Sequence, residues 1–150
     1  MANGSLTAAA IVSFTKELED KSSAFYAALA ERWPEHGETF RVCAKEGGKH
    51  KTWIIRTYQE TISDALEASY AFEGLDLQDY ALETELAEGA RLADALRQAT
   101  ALEDKAITFY RDVAERSESL LATIPMAFKR VARKREKRKA KLQSLLDARP

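Results

Sequence analysis

Apolar residues recur at steps of three and four along four segments of the chain, the spacing that gathers them on one face of an α-helix. In the first segment Ile11, Phe14, Leu18, Phe25 and Leu29 form one stripe. This predicts a helix from about Leu6 to Trp33, broken by Pro34 and Gly37. Phe40, Cys43, Ala44, Trp53, Ile54, Tyr58 and Ile62 predict a second helix, from near Glu38 to Gly74 at the latest. Leu96, Ala99, Leu102, Ala106, Phe109 and Val113 mark a third, from about Leu92 to Ser117. Pro125 falls in the opening turn of a fourth, Thr123 to about Leu146, where its missing N–H costs nothing. Leu75 to Gly89 reads as an acidic connection with room for a short helix. Short links after helices one and three, and a long one between two and three, predict an all-α four-helix bundle. It would consist of two antiparallel hairpins, about 6–73 and 91–147, joined by a crossover of about 74–90.

Composition narrows the classes. The chain has 150 residues, 45% hydrophobic and 31% charged, which suits one compact domain over 1–150 with a real core and excludes dominant disorder. No apolar run reaches the roughly 20 residues needed to span a bilayer, so no membrane partner is expected. Met1 to Ala10 lacks the features of a signal peptide. Cys43 is the lone cysteine, which excludes an internal disulfide framework and points to a reducing, cytoplasmic setting. Lys and Arg total 23 against 24 Asp and Glu, a balance that argues against a uniformly basic binder. The balance is uneven, however. Residues 129–141 (KRVARKREKRKAK) hold nine basic residues and one acidic, while 73–94 hold seven acidic residues and only Arg91.

The halves repeat one another. Leu18 to Trp33 aligns without gaps on Leu102 to Ser117 with nine identities in sixteen positions, including a shared Leu-Glu-Asp-Lys and a shared Phe-Tyr. Phe40-Arg-Val-Cys-Ala44 aligns more loosely on Phe128-Lys-Arg-Val-Ala132. Each half is then a hairpin that needs the other to bury its apolar face.

With Glu-x6-Tyr on helices one and three (Glu19 to Tyr26, Glu103 to Tyr110) and Phe-x3-Ala opening helices two and four, the chain resembles the rubrerythrin-like branch of the ferritin-like superfamily. The likeness runs from about Phe14 to Leu146, without a rubredoxin domain. It implies a ferritin-like bundle in which helices one and three each give a Glu and helices two and four each give Glu-x-x-His, holding two iron or manganese ions. Carried over residue by residue, Glu19 and Glu103 match. On helix two the frame gives Gly47 for the Glu and His50 for the His, with Glu46 one residue off. On helix four it gives Arg135 and Arg138. Three of the six ligand positions survive, Glu19, His50 and Glu103, and both bridging carboxylates are replaced.

Periodicity places the same residues independently. The stripe Phe128, Val131, Leu142, Leu145 interpolates to Arg135 and Arg138, and Phe40, Cys43, Ile54, Tyr58 to Gly47 and His50. Glu19 and Glu103 read either as surface carboxylates beside Lys21 and Lys105, or as buried ones with Arg135 or Arg138 as counter-charge. His50 reads as a hydrogen-bonded core histidine or as a one-metal remnant. Tyr26 and Tyr110 are expected to bond a nearby carboxylate from the core. Gly47 and Gly48 are either weak spots or a close backbone approach. The basic face that includes Lys134, Lys137 and Lys141 is a solvated helical surface, a polyanion or nucleic-acid contact, or a dock for an acidic partner or second copy. The leading expectation is a rubrerythrin-like protein with a degenerate centre, no cofactor, and a binding or structural role, as a homodimer. A metal-dependent oxidoreductase using iron or manganese for peroxide reduction or ferrous oxidation, and a polyanion binder, are the alternatives.

Overall fold

The computed structural model describes residues 7–61, 75–117 and 123–148. Among them are four α-helices and no strand: α1 (Ala8–Arg32), α2 (Gly37–Thr61), α3 (Leu92–Arg116) and α4 (Thr123–Asp147). The expected Leu6 start and Ile62 lie outside the described residues, as does the stretch 62–74. Each helix begins where local chemistry allows. Thr7 accepts the Ala10 N–H at 3.1 Å to open α1. Asp94 accepts the Arg91 N–H at 3.0 Å at the start of α3. Pro34–His36 form a single 3-10 turn, and Gly37, expected with Pro34 to form the break, is instead the first residue of α2.

Cross-helix contacts set the pairing. Lys51 reaches Asp20 at 2.6 Å and the Ser23 hydroxyl donates to the Ala44 carbonyl at 2.7 Å, so α1 and α2 run antiparallel. Lys139 pairs with Asp104 and Arg111 with Glu136, which sets α3 and α4 antiparallel as well. The acidic connection contains a short 3-10 helix, Leu77–Tyr80. It is tied down at both ends. The Tyr80 hydroxyl donates to Asp112 at 2.6 Å, and the Arg32 guanidinium donates to the carbonyls of Ala87 and Ala90 at 3.0 and 2.9 Å.

The apolar stripes meet in two clusters. One, around Ile11, Leu18, Ile54, Phe109, Phe128 and Val131, fills one end of the bundle. The other, around Phe25, Leu29, Phe40, Leu96, Leu102 and Leu142, fills the other end. Tyr110 belongs to the first and Tyr26 to the second. Between these clusters lies a layer of charge.

The glycines of α2 serve different ends. A Cβ on Gly47 would collide with Ser23 Oγ and lie 3.2 Å from the Glu19 carbonyl, so Gly47 permits close approach of α1. A Cβ on Gly48 would meet nothing within 4 Å. Gly48→Ala is therefore expected to raise stability by up to about 1 kcal/mol through helix propensity. Gly47→Ala is expected to lower it by about 1–3 kcal/mol, because Ser23 must abandon Ala44 or the helices must part. Urea denaturation of the two variants checks the opposite signs.

Candidate functional site

The repeated Glu positions fall on the inward faces of α1 and α3, and both side chains are fully buried (0% exposed). Arg135, on the inward face of α4, is also 0% exposed and stands between them. Its Nη2 donates to Glu19 Oε1 at 2.8 Å and its Nε to Glu19 Oε2 at 3.3 Å, a two-point grip on one carboxylate. Its Nη1 donates to Glu103 Oε1 at 2.7 Å. The remaining reach of Nη2 goes to Ser22 Oγ at 3.2 Å.

Arg138 sits one turn along α4 and closes the layer toward solvent. Nη1 donates to Glu103 Oε2 at 3.2 Å, and Nη2 to Glu46 Oε1 at 2.7 Å and to the Cys43 carbonyl at 3.3 Å. Glu46 lies off the seam and its side chain is 39% exposed, so it meets Arg138 at the rim and does not enter the centre. His50 donates from Nδ1 to Glu19 Oε1 at 3.2 Å. Tyr26 donates to Glu103 Oε2 at 2.5 Å, and Tyr110 donates to Glu19 Oε2. Each half's tyrosine thus binds the other half's glutamate. All four carboxylate oxygens of Glu19 and Glu103 have at least one donor.

The electrostatics follow from this geometry. Burial, the largest single influence, would raise the Glu19 carboxyl, but the Arg135 guanidinium, the His50 ring and the Tyr110 hydrogen bond together outweigh it. The carboxyl is held down at about 2. Burial works against the Arg135 cation, yet Glu103 and Glu19 hold it charged, well above the usual arginine range. The Tyr26 and Tyr110 hydroxyls are pushed up by burial and by their carboxylate partners, so they stay protonated donors. Burial pushes the Cys43 thiol up to about 11, which makes it an inert packing residue.

A pair of iron or manganese ions, implied by the family resemblance, does not fit these residues. Such a pair brings about four positive charges and requires bridging carboxylates. On that resemblance the bridging positions would be Gly47 and Arg135, neither of which offers a carboxylate, and the guanidinium occupies the hydrogen-bonding directions of both Glu19 and Glu103. Among the described residues, no group of three or more His, Cys, Asp or Glu side chains is disposed to hold a metal ion.

Sequence reasoning gathers Glu19, His50, Glu103, Arg135, Arg138, Tyr26 and Tyr110, and the structure brings these together. It overlooks Ser22 and Ser23. Ser22 lies three residues beyond Glu19, hence on the same helical face, which is the signal that could have found it. Lys134, Lys137 and Lys141 are exposed on α4, away from this layer. Trp53, expected to face the core, packs against it while only partly buried, and the Arg130 guanidinium lies 3.7 Å from its ring centroid. No helix among the described residues is long and apolar enough to cross a membrane. Compared with family models, curated proteins and solved structures, the chain has no significant match.

Proposed function

We propose that this protein is a rubrerythrin-like member of the ferritin-like superfamily in which an internal Arg–Glu network has replaced the dinuclear metal centre. It acts by binding or as a scaffold, not by redox chemistry, within a reducing cytoplasmic setting and as a homodimer. The single domain is built of the two repeated hairpins. The observation that carries this reading is Arg135, fully buried and bonded to both glutamates. The pairing across the bundle supports the ferritin-like layout. Tyr26 meets Glu103 and Glu19 meets Tyr110, so α1 and α3 run antiparallel and α2 and α3 run the same way, as a long crossover requires.

Elemental analysis tests the proposal. Protein purified without chelator should hold iron, manganese and zinc far below one ion per chain. Its Tm should not move on adding these metals, since a ligand that binds the native state would raise it. Near-stoichiometric iron or manganese would overturn the reading in favour of a metal-dependent oxidoreductase.

A further inference from the structure

The basic run of α4 is divided by the fold into three parts. Arg135 and Arg138 turn inward. On the flank toward α3, charges are matched by partners: Arg111 with Glu136, and Lys139 with Asp104 at 2.5 Å. The flank toward α2 differs. There Trp53, Arg56, Lys129, Arg130 and Arg133 line an open groove of about 590 Å³, with Met126 63% exposed at its edge. No carboxylate among the described residues lines this groove. Arg56 and Arg133 make no ion pair with any described residue. The neighbouring groove between α3 and α4, about 420 Å³, shares Lys129 and Arg133 with this one but has Asp112, Glu115 and Glu136 in its wall, whereas Arg56 and Arg130 line only the α2 side.

Three arginines, Arg56, Arg130 and Arg133, collected in one low-lying groove repel one another, and a bound anion relieves that repulsion. Their planar fork suits the oxygens of a phosphate. Trp53 fixes one of them: the Arg130 guanidinium lies over its ring. Beside these donors lie flat and apolar surfaces, the Arg130–Trp53 stack and Met126, which suit a ligand with a planar body as well as an anionic group. An acidic peptide offers carboxylates but no such plane. From Arg130, exposed Lys134, Lys137 and Lys141 continue along α4 at steps of three and four. This stripe is about 16 Å long at 1.5 Å per residue.

We propose that the α2–α4 groove binds the phosphate groups of nucleotide ligands, with Arg56, Arg130 and Arg133 contacting phosphate and Trp53 holding Arg130 in place. The lysine stripe extends the site for a single strand, in which successive phosphates meet successive cations. The groove shares no residue with the Arg–Glu layer. The proposal therefore stands or falls independently of the metal-free core.

The test uses the full chain carrying Trp33→Phe, so that Trp53 reports alone. It is titrated with a single-stranded oligonucleotide, with AMP and with polyglutamate, and labelled-oligonucleotide anisotropy is followed in parallel on the unaltered chain. Oligonucleotide binding should change Trp53 emission. The triple variant Arg56→Gln, Arg130→Gln, Arg133→Gln should lower its affinity and flatten the log–log salt slope by about 2, at about 0.7 for each phosphate no longer neutralised. Lys16→Gln with Lys21→Gln, on the exposed face of α1, should change neither. Circular dichroism confirms that the variants fold. Tighter binding of the oligonucleotide than of AMP identifies a strand as the ligand; equal binding identifies a free nucleotide. Polyglutamate binding as tight as the oligonucleotide's, or oligonucleotide binding untouched by the triple variant, would overturn the proposal.

Discussion

Arg135→Met is expected to destabilise the protein by about 3–5 kcal/mol, the cost of stranding buried charges after one partner is removed. The cause is specific. Methionine fills much the same space, but it leaves the 0%-exposed Glu19 without its main counter-charge and Glu103 with only Arg138. Arg135→Lys should recover only part of the loss, because a single ammonium cannot span the two carboxylates that the guanidinium fork bridges. The combination Glu19→Gln, Glu103→Gln, Arg135→Met should be much closer to the original stability than Arg135→Met alone, since nothing charged is then left unpaired by the missing guanidinium. Urea denaturation of the four proteins measures the series. A loss below about 1 kcal/mol for Arg135→Met, in the range of surface ion pairs, would show that the arginine is not holding the layer together.

Acid should unfold the protein through the same layer. The Glu19 carboxyl titrates near 4.5 when free and at about 2 in the folded chain. A folded-state value below the unfolded one means that the unfolded chain takes up the proton more readily as pH falls. The stabilisation from Glu19 is therefore complete above about pH 4.5 and is lost as pH falls toward 2. Its size is on the order of 3 kcal/mol, from 1.36 kcal/mol per unit. Denaturation midpoints measured from pH 7 down to pH 2 should show this decline, and Glu19→Gln should flatten it. An unchanged acid limb in Glu19→Gln would place the titrating group elsewhere.

The sequence is most informative where a residue's neighbours lie on its own helix. The shared Leu-Glu-Asp-Lys and Phe-Tyr mark Glu19, Tyr26, Glu103 and Tyr110, and interpolation along the seams marks His50, Arg135 and Arg138. All of these follow from helical periodicity and the repeat. What depends on a neighbouring helix is not legible. Glu46 is turned about 100° from the seam and reads as an outsider, yet the long side chain of Arg138 reaches it. Gly47 reads as a weakness until Ser23 is found where its Cβ would stand. Trp53 reads as part of the apolar stripe and does pack against the core, but the Arg130 guanidinium over its ring comes from α4 and is not readable from α2. The basic run reads as one block of charge. Which of its members are matched, buried or left facing a groove depends on whether α2 or α3 lies beside them.

The charged layer between the two apolar clusters also acts as a ruler. Apolar side chains tolerate a slip of one helix along another, because one greasy contact replaces a similar one. The layer does not. Moving α4 by one turn, about 5.4 Å, would carry Arg135 away from Glu19 and Glu103 and press their carboxylates against leucine and phenylalanine. Competing alignments of the four helices are thus penalised by several buried charges at once, and the alignment that gives every carboxylate oxygen of Glu19 and Glu103 a donor is singled out.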